Sequence, residues 1–392
     1  MPNSIFERAE YERRLAATRQ AMARQGIDCL VVSEPANMFY LTGYDAWSFY
    51  TPQVLLVAQD EDAPFWMGRY MDMVSASDTT FLPPGNIHSY SDDYVQAADR
   101  HPMQRVAALM KEKGWGSKTL GVEMGAYYYT ARIHAELQAA LPSARFVDAE
   151  LLVNWIRLKK SAAELAYMRQ AGRIADRVVA AAVERAAPGV RECDVVAEIY
   201  KAQMAGCEEF GGVYVTSPPQ FCAGPRIRTP HGLWTDERLQ PDAPFNMEVA
   251  ASRLHYHSPI SRTVYLGVPP PAYLKLAGAV IDGLNATLDG VRPGMTCEQV
   301  EETWRKTIAR HGFEKEARVG YSIGIGFPPT WGERTASLRA GDRTELEPGM
   351  AFHLMTGLWL ENTGVTITQS FVVTDKGHEA LTTYPRELIV KK

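Results

Sequence analysis

The chain has 392 residues, of which 46% are hydrophobic and 22% are charged, and its formal net charge is −5. These values are ordinary for a soluble globular protein long enough to form two domains. They exclude the basic block that marks a nucleic-acid-binding face, and no apolar run reaches the roughly 20 residues of a membrane span. We therefore expect a small-molecule partner, with no nucleic acid and no membrane.

The N-terminal stretch MPNSIFERAEYERR is charged and lacks the apolar core of a signal peptide. The five cysteines are scattered without a CxxC pair, which is a poor pattern for a disulfide framework or a zinc site. Both features predict a cytoplasmic protein with reduced thiols.

Helix-like and strand-like segments alternate along the first part of the chain. Apolar residues at helical spacing predict a helix over residues 10–26 that ends at Gly26. Further on, short apolar runs predict strands and amphipathic runs predict helices; the strands are 29–33, 54–58, 64–68 and 120–124, and the helices are 102–114 and 129–141. This alternation is typical of an α/β domain, which we place at residues 1–158.

A second domain, predicted for residues 159–392, begins with a long helix. Ser161 and Glu164 have the spacing of a capping box, and apolar residues follow at helical spacing. Pro-Gly pairs at 188–189 and 293–294 each separate two predicted helices. This recurrence predicts a duplicated α+β unit with its site at the seam between the two halves.

Five stretches together carry a family resemblance: GPRIRTPHG (224–232), NMEVAASRLHYHSPISRT (246–263), YSIGIGF (321–327), LEPGMAFHLMTG (346–357) and ITQSFVVTDKG (367–377). They resemble the pita-bread fold of the creatinase, prolidase and methionine aminopeptidase family. The first domain resembles the one that creatinases and prolidases add at the N-terminus. The resemblance implies an α/β N-terminal domain followed by an α+β pita-bread catalytic domain with an internal pseudo-twofold repeat.

The resemblance also locates five positions at which the peptidases of this family bind two metal ions. The peptidases have Asp, Asp, His, Glu and Glu there, whereas this chain has Glu248, Pro259, Ile323, Met355 and Thr368. Proline, isoleucine and methionine offer a divalent cation neither a hard oxygen nor an imidazole nitrogen. We therefore expect no metal and no other cofactor, and a chemistry carried out by protein side chains.

An H-x-H pair, His255 and His257, supports a different possibility. If both lie in one strand, they share a face with Pro259 and could retain a metal ion with Glu248 as a third ligand. Otherwise His257 is expected to line the pocket as a substrate-binding residue, or to be a structural histidine.

A narrower resemblance is carried by SEPANMFYLTGYDAWSFY (33–50), HPM (101–103), EMGAYYYTA (123–131), LLVNWIRLKKSA (151–162) and GYSIG (320–324). These stretches look like the bacterial ectoine hydrolases, which open the cyclic amidine ring of ectoine. The resemblance implies a metal-independent hydrolase that converts ectoine, and 5-hydroxyectoine if the pocket tolerates the extra hydroxyl, to N-acetyl-diaminobutyrate. Three alternatives stay open: a creatinase-like amidinohydrolase acting on a guanidino acid, a residual Xaa-Pro peptidase, and a non-catalytic pita-bread binding module.

Two residues are candidates for catalysis. Glu248 lies in the apolar run FNMEVAAS, where a carboxylate is costly unless it is paired or functional. It could be the counter-ion of a cationic substrate, the nucleophile or a general base, or else a strand-end residue in a salt bridge. His231 matches the catalytic histidine of the family and could protonate the departing nitrogen, or else lie on a surface loop.

Substrate binding is predicted for an arginine and four aromatic residues. Arg334 coincides with an arginine that creatinases use on the substrate carboxylate, for which its planar fork is suited. Trp47 and Phe49 lie in a loop that, in creatinases, reaches the site of the other subunit, and rings pack well on a cation. Trp331 and Tyr321 are further wall candidates. The resemblance thus implies a homodimer whose N-terminal domain completes the partner site; the alternatives are interface packing for the rings and a solvated arginine.

Overall fold

The computed structural model describes residues 5–149 and 151–392, and the chain divides into two compact units, Met1–Arg157 and Leu158–Lys392. The helices of the first unit are α1 (Arg8–Arg24), α2 (Pro35–Thr42), α3 (Met73–Thr79), α4 (Pro102–Glu112), α5 (Ala131–Ala140) and α6 (Leu152–Arg157). Those of the second are α7 (Ala162–Arg185), α8 (Glu192–Ala205), α9 (Pro271–Gly290) and α10 (Cys297–Arg310). Within residues 5–149 and 151–392, no helix combines the length and the apolar character needed to cross a membrane.

The N-terminal unit is built on a six-stranded mixed sheet in the order β4-β3-β2-β1-β5-β6. Its strands are β1 (Cys29–Val32), β2 (Val54–Ala58), β3 (Phe65–Arg69), β4 (Ile87–Tyr90), β5 (Thr119–Val122) and β6 (Arg145–Asp148). All residues of β1 and β2 are buried, because this central pair is covered on both faces. The α/β prediction for this unit is confirmed, with strand ends within two residues of the predicted ones.

The C-terminal unit contains a nine-stranded sheet in the order β16-β15-β12-β10-β9-β8-β7, with β11 pairing β10 and β17 pairing β9. Strands β13 and β14 form a separate two-stranded ribbon. The strands are β7 (Gln220–Ala223), β8 (Ala243–Arg253), β9 (Tyr256–Leu266), β10 (Gly320–Phe327), β11 (Thr330–Leu338), β12 (Ala351–Leu354), β13 (Gly357–Trp359), β14 (Gly364–Thr366), β15 (Gln369–Thr374), β16 (Gly377–Ala380) and β17 (Ile389–Lys391).

The predicted internal repeat is confirmed in the hydrogen bonds around its two Pro-Gly turns. Gly189 and Gly294 both have a left-handed backbone, with φ of 83° and 84°, which glycine adopts without strain. The Gly189 N–H donates to the Leu239 carbonyl, and the Gly294 N–H donates to the Leu346 carbonyl, each at 2.8 Å. The pair α7 and α8 covers one half of the unit and the pair α9 and α10 covers the other, each over its own apolar cluster.

The long helix α7 begins where the sequence predicts. The Ser161 hydroxyl accepts from the Glu164 N–H, and the Glu164 carboxylate accepts in return from the Ser161 N–H at 2.8 Å. The same carboxylate accepts from the Tyr256 hydroxyl at 2.9 Å, which ties the start of the helix to the start of β9. This helix packs on β8 and β9, the two strands that carry the candidate site.

Candidate active site

Glu248 lies in the middle of β8, on the face that points away from α7. Side chains alternate between the two faces of a strand. Phe245, Met247 and Val249 belong to the apolar cluster under α7, so Asn246 and Glu248 point to the opposite face. There they line a small pocket that opens to solvent.

Strand register places Glu248 at the centre of a polar row. Its β7 neighbour is Gln220 and its β9 neighbour is Ser261, each directly opposite in register, and both line the same pocket. The row continues to Thr368, whose N–H donates to the Ser261 carbonyl at 3.2 Å and whose hydroxyl accepts from the Ser261 N–H at 2.7 Å. The pocket floor is therefore a fixed set of polar groups held by backbone pairing.

Lys315, in the segment between α10 and β10, is the cation whose charge lowers the pKa of Glu248. Its Nζ donates to the Met355 carbonyl at 3.0 Å and lies 5.0 Å from the ring centre of Trp359, another residue of the pocket wall. Burial raises the pKa of Glu248 to about 7, and the Lys315 charge opposes that rise. Burial likewise lowers the pKa of Lys315 to about 7, opposed by Glu248. The two groups therefore change charge in the physiological range, each favouring the charged form of the other.

A hydrogen-bonded chain runs behind the pocket from Trp331 to Thr368. The Trp331 indole N–H donates to the Tyr321 hydroxyl at 2.9 Å, which lies 3.1 Å from His353 Nδ1. His353 Nε2 lies 2.8 Å from the Thr368 hydroxyl. Burial lowers the pKa of His353 to about 3, so its ring is neutral, and burial together with the Glu248 charge raises the pKa of Tyr321. Tyr321, neutral His353 and Thr368 can each donate or accept in this chain. A change of the His353 tautomer would therefore reverse the direction of both of its hydrogen bonds.

His231 lies on a turn whose neighbours, Pro230 and Gly232, line the Glu248 pocket. Its own side chain is exposed and is not among the pocket-lining groups. The loop that carries it is anchored at both ends, because Arg226 donates to the Glu192 carboxylate at 2.5 Å and Glu192 accepts from the Thr235 N–H at 2.8 Å. The structure thus brings the loop of His231 to the pocket but leaves the imidazole at its rim.

Arg334 occupies a strained point of β11. Its φ of 59° is left-handed, which is uncommon for any residue with a side chain and most often marks a turn or a functional site. The register between β10 and β11 shifts here, between the pairs Tyr321–Ser337 and Ile323–Gly332. Arg334 is partly buried and does not line the Glu248 pocket, so its role in carboxylate binding stays a prediction.

The expectation that His255 and His257 share a strand face is wrong. Leu254 and His255 form the two-residue turn between β8 and β9, both with positive φ, and the His255 ring stacks on Phe327 at 4.2 Å. His257 is in the strand and fully buried, with Nδ1 bonded to the His255 carbonyl at 2.8 Å. Burial lowers its pKa to about 3, and it does not line the Glu248 pocket. The two rings therefore do not form a pair of ligands on one face.

The side chains at the five family metal positions do not fit a two-metal centre. They supply one carboxylate, Glu248, and one hydroxyl, Thr368, which is already bonded to Ser261 and His353. The metal position on β10 is the apolar Ile323. The residue of this strand that belongs to the hydrogen-bonded chain from Trp331 to Thr368 is Tyr321, two positions earlier. In residues 5–149 and 151–392, no group of three His, Cys, Asp or Glu side chains could hold a metal ion.

Trp47 and Phe49 belong to the N-terminal unit. Their ring centres lie 5.7 Å apart, and Trp47 also contacts the Tyr128 ring at 6.0 Å. Phe49 is 75% exposed, an unusual state for such a ring. Their contact with substrate stays a prediction.

Family models match both units of the chain. The model of metallopeptidase family M24 matches residues 166–375, and that of the creatinase/prolidase N-terminal domain matches residues 14–159. The chain belongs to metallopeptidase family M24 and carries the N-terminal domain of its creatinase/prolidase branch. Among M24 relatives, it is 58% identical to an uncharacterized hydrolase/peptidase, y4tM, of Sinorhizobium fredii, and 42% identical to the ectoine hydrolase of Halomonas elongata. Each alignment covers 98% of both chains.

Solved structures agree on the M24 fold. The dipeptidase PepE of Mycobacterium ulcerans superposes with a TM-score of 0.81 at 26% identity, covering 98% of this chain and 99% of the other. This superposition and the family models confirm the pita-bread assignment, and the 42% identity to the Halomonas elongata enzyme confirms the resemblance to ectoine hydrolases.

Sequence reasoning missed Lys315, His353, Gln220 and the contribution of Ser261. Lys315 lies in an irregular segment, and a lone lysine there carries no recognisable signal. His353 reads as one polar residue in an apolar strand, a pattern that could have marked it as functional. Gln220 and Ser261 become visible only through register, because they are neighbours of Glu248 across strands and not along the chain.

Proposed function

We propose that this protein is a metal-independent hydrolase that opens the cyclic amidine ring of ectoine to N-acetyl-diaminobutyrate. The observation that carries the proposal is Glu248, a lone pocket carboxylate with a nearly neutral pKa, at the base of a small pocket in a chain 42% identical to an ectoine hydrolase. An amidinium ring is a small cation, and a buried carboxylate both attracts it and lies close to its electrophilic carbon.

In the proposed reaction, a Glu248 oxygen attacks the carbon between the two ring nitrogens and forms a C–O bond. One C–N bond then breaks, and the departing nitrogen takes a proton, for which we assign His231 at the pocket rim. Water hydrolyses the ester-like adduct, so that the water oxygen ends in the new acetamide and Glu248 is released. The burial of Glu248, which is 9% exposed, supports this role, because a poorly hydrated carboxylate is a better nucleophile than a solvated one.

Arg334 is assigned to the substrate carboxylate. Tyr321 and Trp331, which do not line the Glu248 pocket in this structure, are assigned to further contacts with the bound substrate. Tyr321 can donate to a ligand only when its hydroxyl hydrogen is not directed at His353, and the chain to Thr368 allows both directions. The donor set at the family metal positions supports a reaction that runs on side chains alone.

The test is to incubate the purified protein with ectoine, 5-hydroxyectoine, creatine and an X-Pro dipeptide, with and without EDTA, and to follow products by mass spectrometry. We expect N-acetyl-diaminobutyrate from ectoine at a rate that EDTA leaves unchanged. Turnover of creatine or the dipeptide alone, or none at all, would reject the substrate, and loss of rate in EDTA would reject the metal-free mechanism.

The Glu248→Gln variant should lose about 10³-fold or more in kcat, since it removes the attacking group. Glu301→Gln is the matched control: Glu301 is buried to a similar extent, 6% exposed against 9% for Glu248, but lies in α10. A peptide containing Glu248 that gains the mass of one ectoine under rapid quenching identifies the nucleophile. Full loss of rate in Glu248→Gln without any such adduct would instead assign Glu248 as counter-ion or base.

A further inference from the structure

The buried polar atoms beside Glu248 include two that lack a partner within the residues the structure describes. They are Oε1 of Gln220 and Oγ of Ser261. Ser261 is fully buried, and both residues line the Glu248 pocket. A buried polar atom without a hydrogen bond costs stability, so two such atoms in one pocket indicate that a ligand or water satisfies them.

Register puts these atoms on opposite sides of Glu248. Gln220 is opposite Glu248 on β7, and Ser261 is opposite Glu248 on β9, in directly paired positions. Adjacent strands are about 4.8 Å apart, and directly opposite residues point to the same face. The three side chains therefore form one row, acceptor–carboxylate–hydroxyl, across the pocket floor.

An amidinium cation has the complementary pattern. Its electrophilic carbon stands between two nitrogens, and each nitrogen carries at least one N–H donor. When the carbon lies over the Glu248 carboxylate, the two N–H groups point to either side, towards Gln220 and Ser261. A carbonyl oxygen and a hydroxyl oxygen can each accept one of them.

We propose that Gln220 and Ser261 are the specificity-determining residues of this site, each accepting one N–H of the N–C–N unit while Glu248 faces its carbon. The inference rests on the proposed function for its substrate class, a protonated amidine. It further predicts that a ligand without those N–H groups is rejected, because it leaves two buried acceptors unsatisfied.

The direct probe is the acetamidinium ion, a minimal N–C–N cation, with its binding measured by calorimetry independently of turnover. Ser261→Ala and Gln220→Met each remove one acceptor at nearly constant size, and each should weaken acetamidinium binding by about 10- to 100-fold. The matched control is Ser258→Ala. Ser258 is on the same strand and fully buried, and its hydroxyl likewise lacks a partner among the described residues, but it does not line the pocket. This variant should bind acetamidinium as the wild type does.

A second measurement uses ectoine and an analogue in which one ring nitrogen carries a methyl group. The wild type should discriminate strongly in kcat/KM against the methylated ring, and Ser261→Ala or Gln220→Met should reduce that discrimination at least tenfold. Thermal melting of all three variants verifies that each is folded.

Two failures are distinguishable. If Ser261→Ala and Gln220→Met weaken acetamidinium binding but the wild type does not turn over ectoine, the proposed function is wrong while the acceptor pair stands. If Ser261→Ala and Gln220→Met bind acetamidinium as tightly as Ser258→Ala does, the acceptor pair is wrong whatever the substrate.

Discussion

At the scale of single residues, the pocket depends on the coupling of Glu248 and Lys315. In the proposed reaction, Glu248 must be ionised to attack or attract a cation, and burial raises its pKa to about 7. The carboxyl is therefore protonated and inactive below that pH and ionised above it. Lys315 acts against the rise because its positive charge favours the carboxylate. Because the two groups interact, the observed titration belongs to the pair.

This coupling predicts the pH profile of kcat/KM on ectoine. The wild-type profile should rise with pH through an acid limb near 7. In Lys315→Met the limb should move to higher pH by about one unit, because the cation that lowers the pKa of Glu248 is gone. Lys306→Met is the control, since Lys306 is exposed on α10 and paired with Glu302. An acid limb that is the same in Lys315→Met and the wild type would contradict the coupling.

The sequence alone could mark Glu248 and Tyr321 as candidate site residues, because both lie in motifs shared with the family. It could not place Lys315, whose effect arises from its position beside Met355 and Trp359. It misplaced His255, because the turn between β8 and β9 takes up the residue that a strand pattern assigned to the pocket. Residue-scale errors thus arise where a turn begins or where a contact crosses between elements.

At the scale of elements, a buried ion pair joins the segment before α7 to β11. The Lys160 Nζ lies 2.6 Å from the Glu333 carboxylate, and both side chains are only 1% exposed. The same Nζ donates to the Leu158 carbonyl at 3.0 Å. The pair leaves no room for a side chain at position 324, where an added Cβ would lie 2.3 Å from a Glu333 oxygen. Glu333 directly precedes the left-handed Arg334, so the pair fixes the strand where its backbone is strained.

Breaking this pair should be costly. Lys160→Met leaves the Glu333 carboxylate buried without its cation, and the free energy of unfolding should fall by about 3–5 kcal/mol. The neighbouring pair Lys159–Glu347 is the control: its side chains are 58% and 56% exposed, and Lys159→Met should cost no more than about 1 kcal/mol. Urea denaturation followed by circular dichroism measures both. Equal losses in the two variants would show that the buried pair has no special role.

At the scale of the whole molecule, the pattern of elements was the most predictable property. Strands such as β1 and β2 are continuous apolar runs, and the capping box of α7 is read directly from Ser161 and Glu164. The repeat was visible in its two Pro-Gly turns, because each requires a glycine with positive φ. The sheet order was not predictable from pattern, since the pairing of β10 with β9, β11 and β12 depends on contacts between distant segments.

The oligomeric state belongs to this scale too. The resemblance to creatinases predicts a homodimer in which the N-terminal unit of one subunit completes the site of its partner. The exposed apolar side chains of that unit favour such an interface; Phe49 is 75% exposed, Tyr70 69%, Val74 65% and Met71 62%. Sedimentation should therefore give a dimer.

Mixing two inactive variants tests whether the site is shared between subunits. Phe49→Ala should remove a ring of the partner's site, and Glu248→Gln should remove the carboxylate of its own. In a heterodimer of the two, one site has both defects and the other has neither, so random re-association should restore about a quarter of wild-type ectoine turnover. Mixing Glu248→Gln with His231→Ala is the control, because both residues lie in the C-terminal unit and each is assigned to the reaction itself. The control heterodimer has no intact site under either model, so this mixture should gain no activity. If each subunit already holds a complete site of its own, the Phe49→Ala mixture should likewise gain nothing over its unmixed components. Recovery in the Phe49 mixture alone would establish that the N-terminal unit acts across the dimer.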